Sequence, residues 1–106
     1  MEQLALEDHS GTQRQRMLRY PIGVVVAFIA WNFPLLNLAY KLGPAMAAGC
    51  PIVIKPSSKT PVAAYVVGRL CHEIGLPPGV VNILCGDDAV IGDTLSASTI
   101  PALGTL

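Results

Sequence analysis

Gly23-Val24-Val25-Val26-Ala27-Phe28-Ile29 is an unbroken apolar run rich in β-branched residues, and the same chemistry returns in Pro51-Ile52-Val53-Ile54-Lys55 and Val80-Val81-Asn82-Ile83-Leu84. Continuous runs of this length fit strands covered on both faces, the usual state of strands in a parallel sheet. Helical patterns fill the intervals. Pro34 can occupy a first helical turn, and Leu35, Leu38, Ala39, Leu42, Ala45 and Met46 recur at three- and four-residue spacing until Gly49. Thr60 can cap a second helix starting at Pro61, with an apolar stripe of Ala63, Val66, Val67, Leu70 and Ile74 and closure at Gly75. A short third helix is predicted over about residues 89–95, and residues 100–106 open a fourth strand. This alternation implies an α/β fold: a partial Rossmann-like parallel sheet with flanking helices. Right-handed crossovers then set the strand ends Ile29, Lys55 and Cys85 along one carboxyl edge, where open α/β sheets bind ligands.

Composition narrows the function classes. Of 106 residues, 52% are hydrophobic and 13% charged, with seven basic residues balancing seven acidic ones. Hydrophobicity at that level excludes a disordered chain, and a neutral chain lacks the basic field that holds nucleic acid phosphates. Charged residues stand at about half the roughly 25% usual in soluble domains. Six of them (Glu2, Glu7, Asp8, Arg14, Arg16 and Arg19) precede Tyr20. Residues 1–19 are therefore predicted to be a polar arm or a solvated helix, and residues 20–106 a β-α-β-α-β-α-β domain poor in ions. Such a chain reads as a piece of something larger or as a subunit that associates through exposed apolar surface. Its end inside an apolar run at Leu106 favours truncation at the C-terminus.

The longest apolar candidate for a membrane span, residues 22–31, is far shorter than the roughly 20 residues required, and no basic, apolar-led secretory signal opens the chain. Cys50, Cys71 and Cys85 are odd in number and spaced unlike zinc or redox motifs, so reduced thiols in a cytoplasmic protein and no metal site are expected.

Three junctions carry chemistry. In Ala30-Trp31-Asn32-Phe33-Pro34, Asn32 either caps the following helix or donates to an oxygen that becomes negative during reaction. In Lys55-Pro56-Ser57-Ser58-Lys59-Thr60-Pro61, the lysine either escapes the core by snorkelling or meets ribose hydroxyls or phosphate at the ligand edge. In Cys85-Gly86-Asp87-Asp88, the carboxylates read as helix N-terminal residues favoured by the dipole. Neither G-x-G-x-x-G nor a phosphate loop ending in Gly-Lys-Ser/Thr is present. His72 and Cys71 are helical neighbours that do not face one another.

Taken jointly, these segments resemble the cofactor-binding domain of the aldehyde dehydrogenase superfamily. The matching text is Pro21-Ile22-Gly23-Val24-Val25, Trp31-Asn32-Phe33-Pro34-Leu35, Lys41-Leu42-Gly43-Pro44-Ala45 with Ala47-Ala48-Gly49, Ile54-Lys55-Pro56-Ser57 with Thr60-Pro61, and Gly75-Leu76-Pro77-Pro78-Gly79-Val80-Val81-Asn82. The resemblance covers residues 20–106 and implies oxidation of an aldehyde to a carboxylic acid through a thioester, with NAD or NADP taking the hydride. It makes Asn32 the oxyanion-stabilising amide and Lys55 a contact of the adenosine ribose. Ile29, Ala30, Trp31, Ser57 and Ser58 are implied to border the cofactor, and Gly86 and Gly92 to lie beneath its pyrophosphate, where close backbone approach favours glycine.

The departures from the family pattern are specific. Ser58 stands where many NAD-preferring members have a glutamate, which makes NADP permissible. Ala30 replaces a common proline, and Asp88 falls where glycine is usual, a carboxylate beside phosphates. The nucleophilic cysteine and general-base glutamate lie beyond this stretch, so the chain is expected to be inactive alone. The resemblance leaves a non-catalytic nucleotide-binding or interaction remnant as the alternative.

Overall fold

A computed structural model describes residues 2–7, 11 and 14–105. Near the N-terminus, β1 (Glu2–Glu7) and β2 (Arg14–Arg19) pair antiparallel, with Glu2 opposite Arg19 and Glu7 opposite Arg14 in the register. Of the two readings of residues 1–19, an arm or a helix, the strands at Glu2–Glu7 and Arg14–Arg19 exclude a helix over those residues. These strands lack the apolar–polar alternation that betrays a half-buried strand: Met17 and Leu18, which point to opposite faces, are both exposed. The chain extends 57 Å along its longest axis, and its radius of gyration of 17.2 Å exceeds the ~13 Å of a compact domain this long.

Among the described residues, β3 (Val25–Ile29), β4 (Ile52–Pro56), β5 (Val81–Ile83) and β6 (Leu103–Thr105) form a wholly parallel sheet in the order β5-β4-β3-β6. Helix α1 (Pro34–Ala47) joins β3 to β4, α2 (Pro61–Glu73) joins β4 to β5, and α3 (Asp88–Ala97) takes the chain back to β6 on the far side of β3. The direction of winding thus reverses between β3 and β6, the arrangement that opens a ligand crevice in α/β sheets. Glycine punctuates the helices as expected. Gly49 follows α1 at φ +73° and Gly75 follows α2 at φ +78°, conformations that cost a side-chain-bearing residue about 1–2 kcal/mol.

The parallel register divides the central strands into two faces. Val25, Ala27 and Ile29 join Ile52 and Ile54 on one, where Leu38 and Ala45 of α1 and Ala64 of α2 complete a single buried cluster. Val26, Phe28, Val53 and Lys55 occupy the other face by alternation. The stripe expected on α2 packs only in part: its Val67 reaches the core, Ala64 from outside it is the most buried residue of the helix, and its other large members face solvent. Ala64 is 1% exposed and Val67 lies against the core, whereas Val66 and Leu70 are exposed and Ile74 is 76% exposed. The small side of the helix faces the sheet because it must approach closely: a Cβ on Gly68 would come within 2.5 Å of Ile83 Cδ1. A charge at Ala64, such as Ala64→Asp, should therefore destabilise the chain by several kcal/mol, while Ile74→Ser should change its stability by no more than about 0.5 kcal/mol in urea unfolding. The reverse ranking would mean that α2 packs through its larger apolar stripe.

Candidate functional site

The sheet delivers Lys55 to its carboxyl edge as the buried charged residue of the core, with 3% of its side chain exposed. An ammonium so placed requires partners, since an isolated buried charge is strongly unfavourable. Lys55 Nζ donates to the carbonyl of Pro56 at 2.7 Å and to the Asp88 carboxylate, with which it forms an ion pair. Asp88, the first residue of α3, also accepts from Ser58 N–H at 2.9 and 3.2 Å through its two oxygens and from Ser58 Oγ at 2.8 Å. The Lys55 hydrogen bond, followed by that of the Ser58 hydroxyl, holds the Asp88 carboxyl down at about 2.

These groups rim a cavity of about 250 Å³. Phe28, Ile29 and Ala30 contribute from the end of β3, Lys55, Pro56 and Ser57 from the end of β4, and Asp88 from α3. The walls are tied together by Ser57 N–H donating to the Ile29 carbonyl at 3.0 Å. Behind them Lys41 of α1, its pKa lowered by burial, donates to the Phe28 carbonyl. The loop after β4 is a tight turn in which Thr60 N–H donates to the Ser57 carbonyl at 3.1 Å. Lys59 Nζ sits 5.4 Å from the centre of the Trp31 ring, so a cation–π contact joins the two loops above the strands. A volume below the roughly 300–1,000 Å³ of whole small-molecule sites suits part of a dinucleotide.

The structure gathers four of the expected site residues, Ile29, Ala30, Lys55 and Ser57, around this cavity. Ser58 joins them through Asp88, and Trp31 through the turn above. Asn32 lies on the same edge, two residues beyond Ala30, but is not in the cavity wall. Its capping alternative fails: the N-cap of α1 is Phe33, and no side chain caps that helix. Thr60 likewise occupies the N-cap of α2 without a capping bond, its Oγ1 buried and unpaired.

Gly86 and Gly92 also lie outside the wall. Gly86 needs its lack of a side chain for internal reasons, with φ +154° and Ile91 Cδ1 2.8 Å from where a Cβ would be. A Cβ on Gly92 would meet nothing within 4 Å. Asp87 behaves as expected, capping α3 by accepting from Val90 N–H at 2.9 Å. Asp88 also stands in the first turn of α3 as expected, and its carboxylate in addition accepts from Lys55 and Ser58, which the sequence did not indicate. The sequence signal that pointed to Asp88 itself was the pair of acidic residues directly after a strand on the ligand edge. No group of three or more His, Cys, Asp or Glu that could hold a metal occurs among the described residues.

Comparison with known proteins places this geometry in context. A profile described as the aldehyde dehydrogenase family matches residues 2–103. The mitochondrial succinate-semialdehyde dehydrogenase of Arabidopsis thaliana is 44% identical over 86 residues, 81% of this chain and 16% of the relative. The NADP/NAD-dependent aldehyde dehydrogenase PuuC of Escherichia coli strain K12 is 46% identical over 80 residues, 76% of this chain and 16% of that protein. Among solved structures, betaine aldehyde dehydrogenase from Staphylococcus aureus, in complex with NAD+, superposes with a TM-score of 0.86 at 32% identity, covering 98% of this chain and 21% of its own. The chain thus spans about a sixth of the length of the curated relatives it matches.

The depressed Asp88 pKa fixes a pH window. A carboxyl held below its ordinary 3.8 stabilises the fold fully above that value and loses this contribution as pH falls through about 2. The carbon resonance of the Asp88 carboxyl should accordingly titrate with a midpoint near about 2, and in Lys55→Met the midpoint should rise toward the ordinary value. A midpoint unmoved by that substitution would show that the two groups are not paired in solution.

Proposed function

Because this chain belongs to the aldehyde dehydrogenase family, we propose that residues 20–106 are the part of an NAD(P)-dependent aldehyde dehydrogenase that binds the adenosine half of the cofactor. The observation that carries this reading is the buried Lys55 ammonium, opening at the carboxyl edge of a parallel sheet into a cavity bordered by Ile29, Ala30 and Ser57. Lys55 has three protons and spends two on Pro56 and Asp88, which leaves one for a ribose hydroxyl. Trp31 and Ser58 border the same ligand, and the open space beside Gly92 lets a pyrophosphate approach the backbone of α3. These features fit a nicotinamide dinucleotide, which when bound supplies the hydride acceptor.

Asn32 is assigned the amide that donates to the aldehyde oxygen as negative charge develops on it, a role worth about 3–4 kcal/mol of transition-state stabilisation. Its freedom from capping duty supports that assignment. The thiolate that attacks the aldehyde and the carboxylate that activates water for thioester hydrolysis come from outside these residues. Cys50 is buried in the core and Cys71 lies on α2. Cys85 is exposed and outside the cavity wall. The three free thiols support a reducing, cytoplasmic setting. No helix among the described residues is long and apolar enough to cross a membrane.

Apolar side chains left open on α1 and α2, including Leu35, Tyr40, Val62 and Leu70, support association through these faces. Sedimentation of the chain at high concentration should therefore show oligomers or larger assemblies, and a compact monomer would refute this. Calorimetric titration should detect a nicotinamide dinucleotide, and Lys55→Met should weaken binding about 10- to 100-fold, as loss of a charged donor does. Aldehyde-dependent NAD(P) reduction by these 106 residues alone would overturn the claim that the reacting cysteine and glutamate lie elsewhere. Absence of binding by both NAD and NADP would overturn the cofactor assignment.

A further inference from the structure

We infer that Asp88 selects the cofactor's ribose: its carboxylate occupies the anion-recognising donors of Lys55 and Ser58, so that the cavity accepts an unphosphorylated ribose and turns away one carrying a phosphate. This rests on the nucleotide-binding reading above and adds to it the residue that sets the preference.

The case is one of donors and acceptors. Three groups near the cavity could recognise an added phosphate: Lys55 Nζ, Ser58 N–H and Ser58 Oγ–H. Each already donates to Asp88. Asp88 is held in its ionised form by those same contacts, so at neutral pH it only accepts. Half of its side chain is exposed, and it lines the cavity, so lone pairs remain for a ligand.

The two neighbouring hydroxyls of a ribose can donate to such a carboxylate while receiving the spare proton of Lys55. A phosphate offers no proton at neutral pH and brings two negative charges against the one already there. It must displace Asp88 from three donors or sit beside it, and either course is unfavourable. Ser58 leaves room for a phosphate but does not remove this obstacle, because the charge comes from α3 rather than from the loop that holds Ser58.

The decisive experiment titrates the chain with NAD and NADP, then repeats both titrations with Asp88→Asn and Asp88→Ser. The native chain should bind NAD at least about tenfold more tightly than NADP, the scale expected of one added like-charge contact near a protein surface, and both variants should erase most of that ratio. Asp88→Asn keeps the size and one acceptor oxygen while removing the charge, and Asp88→Ser removes the carboxylate altogether, so agreement between the two assigns the effect to the charge. If both nucleotides bind and the ratio is the same in native chain and variants, Asp88 is only a strut and the inference falls. If neither nucleotide binds the native chain, the cofactor reading fails first and takes this inference with it. A second readout needs no substitution: adenosine 5′-monophosphate should shift the carboxyl resonance of Asp88 in the native chain, and adenosine 2′,5′-bisphosphate at equal concentration should not. An Asp88 signal unmoved by bound adenosine 5′-monophosphate would equally overturn the proposal.

Discussion

A lysine ammonium with only 3% of its side chain exposed cannot stand at the end of a central strand without a counter-charge, and that requirement organises the carboxyl edge of this sheet. Lys55 is brought there by β4, which is paired with β5 through Ile54 and with β3 through Lys55 and Pro56. The compensating carboxylate comes from Asp88, 33 positions later, at the first turn of α3. Its place is set by the Gly86 turn and the Asp87 cap. One ion pair thus connects the β4–α2 loop, through Ser58, to the start of α3, and gives the cavity its polar rim.

The remainder of the molecule is built from one side. The cluster between the sheet and the α1–α2 face is closed, while the outer sides of both helices carry large apolar residues in solvent, and β6 pairs only along Leu103–Thr105. At about 25 cal/mol per Å² of apolar area, leaving Tyr40, Val62, Tyr65, Leu70 and Ile74 exposed forgoes stabilisation that a covered surface would gain. Relatives about six times as long possess further chain that could supply such cover. The elongated shape and the exposed Met17 and Leu18 of β2 belong to the same condition.

How much of this was legible in the sequence follows from which forces act locally. The strands β3 and β4 could be read within two residues because burial on both faces leaves an uninterrupted apolar run, and Gly49 and Gly75 marked helix ends because left-handed geometry favours glycine. On α2 hydrophobicity is an incomplete guide to burial: Val67 of the apolar stripe packs, while Val66, Leu70 and Ile74 stay in solvent. The sheet instead admits the small side of the helix, where Gly68 meets Ile83. No clear period marks β1 and β2 in the sequence, and Met17 and Leu18, neighbours on opposite faces of β2, are both exposed. Lys55 was legible from its place at a strand end, but its pairing with Asp88 was not: a contact 33 residues apart depends on how α3 returns across the sheet.

That long-range pairing changes what a local substitution means at this edge. A residue in the loop after β4 is ordinarily judged by its own side chain, so that a serine at position 58 reads as lost charge. Here Ser58 instead donates its backbone N–H and its hydroxyl to a carboxylate presented by a different element. The site keeps a negative charge beside Lys55 although the loop itself carries none. Two elements therefore build the polar rim together, the loop supplying donors and α3 supplying the acceptor, whose negative charge is favoured at a helix N-terminus. Any movement of α3 relative to β4 must break charge-assisted hydrogen bonds to Lys55 and Ser58 together. The position of that helix is thus coupled to the rim against which a ligand in the cavity would be read.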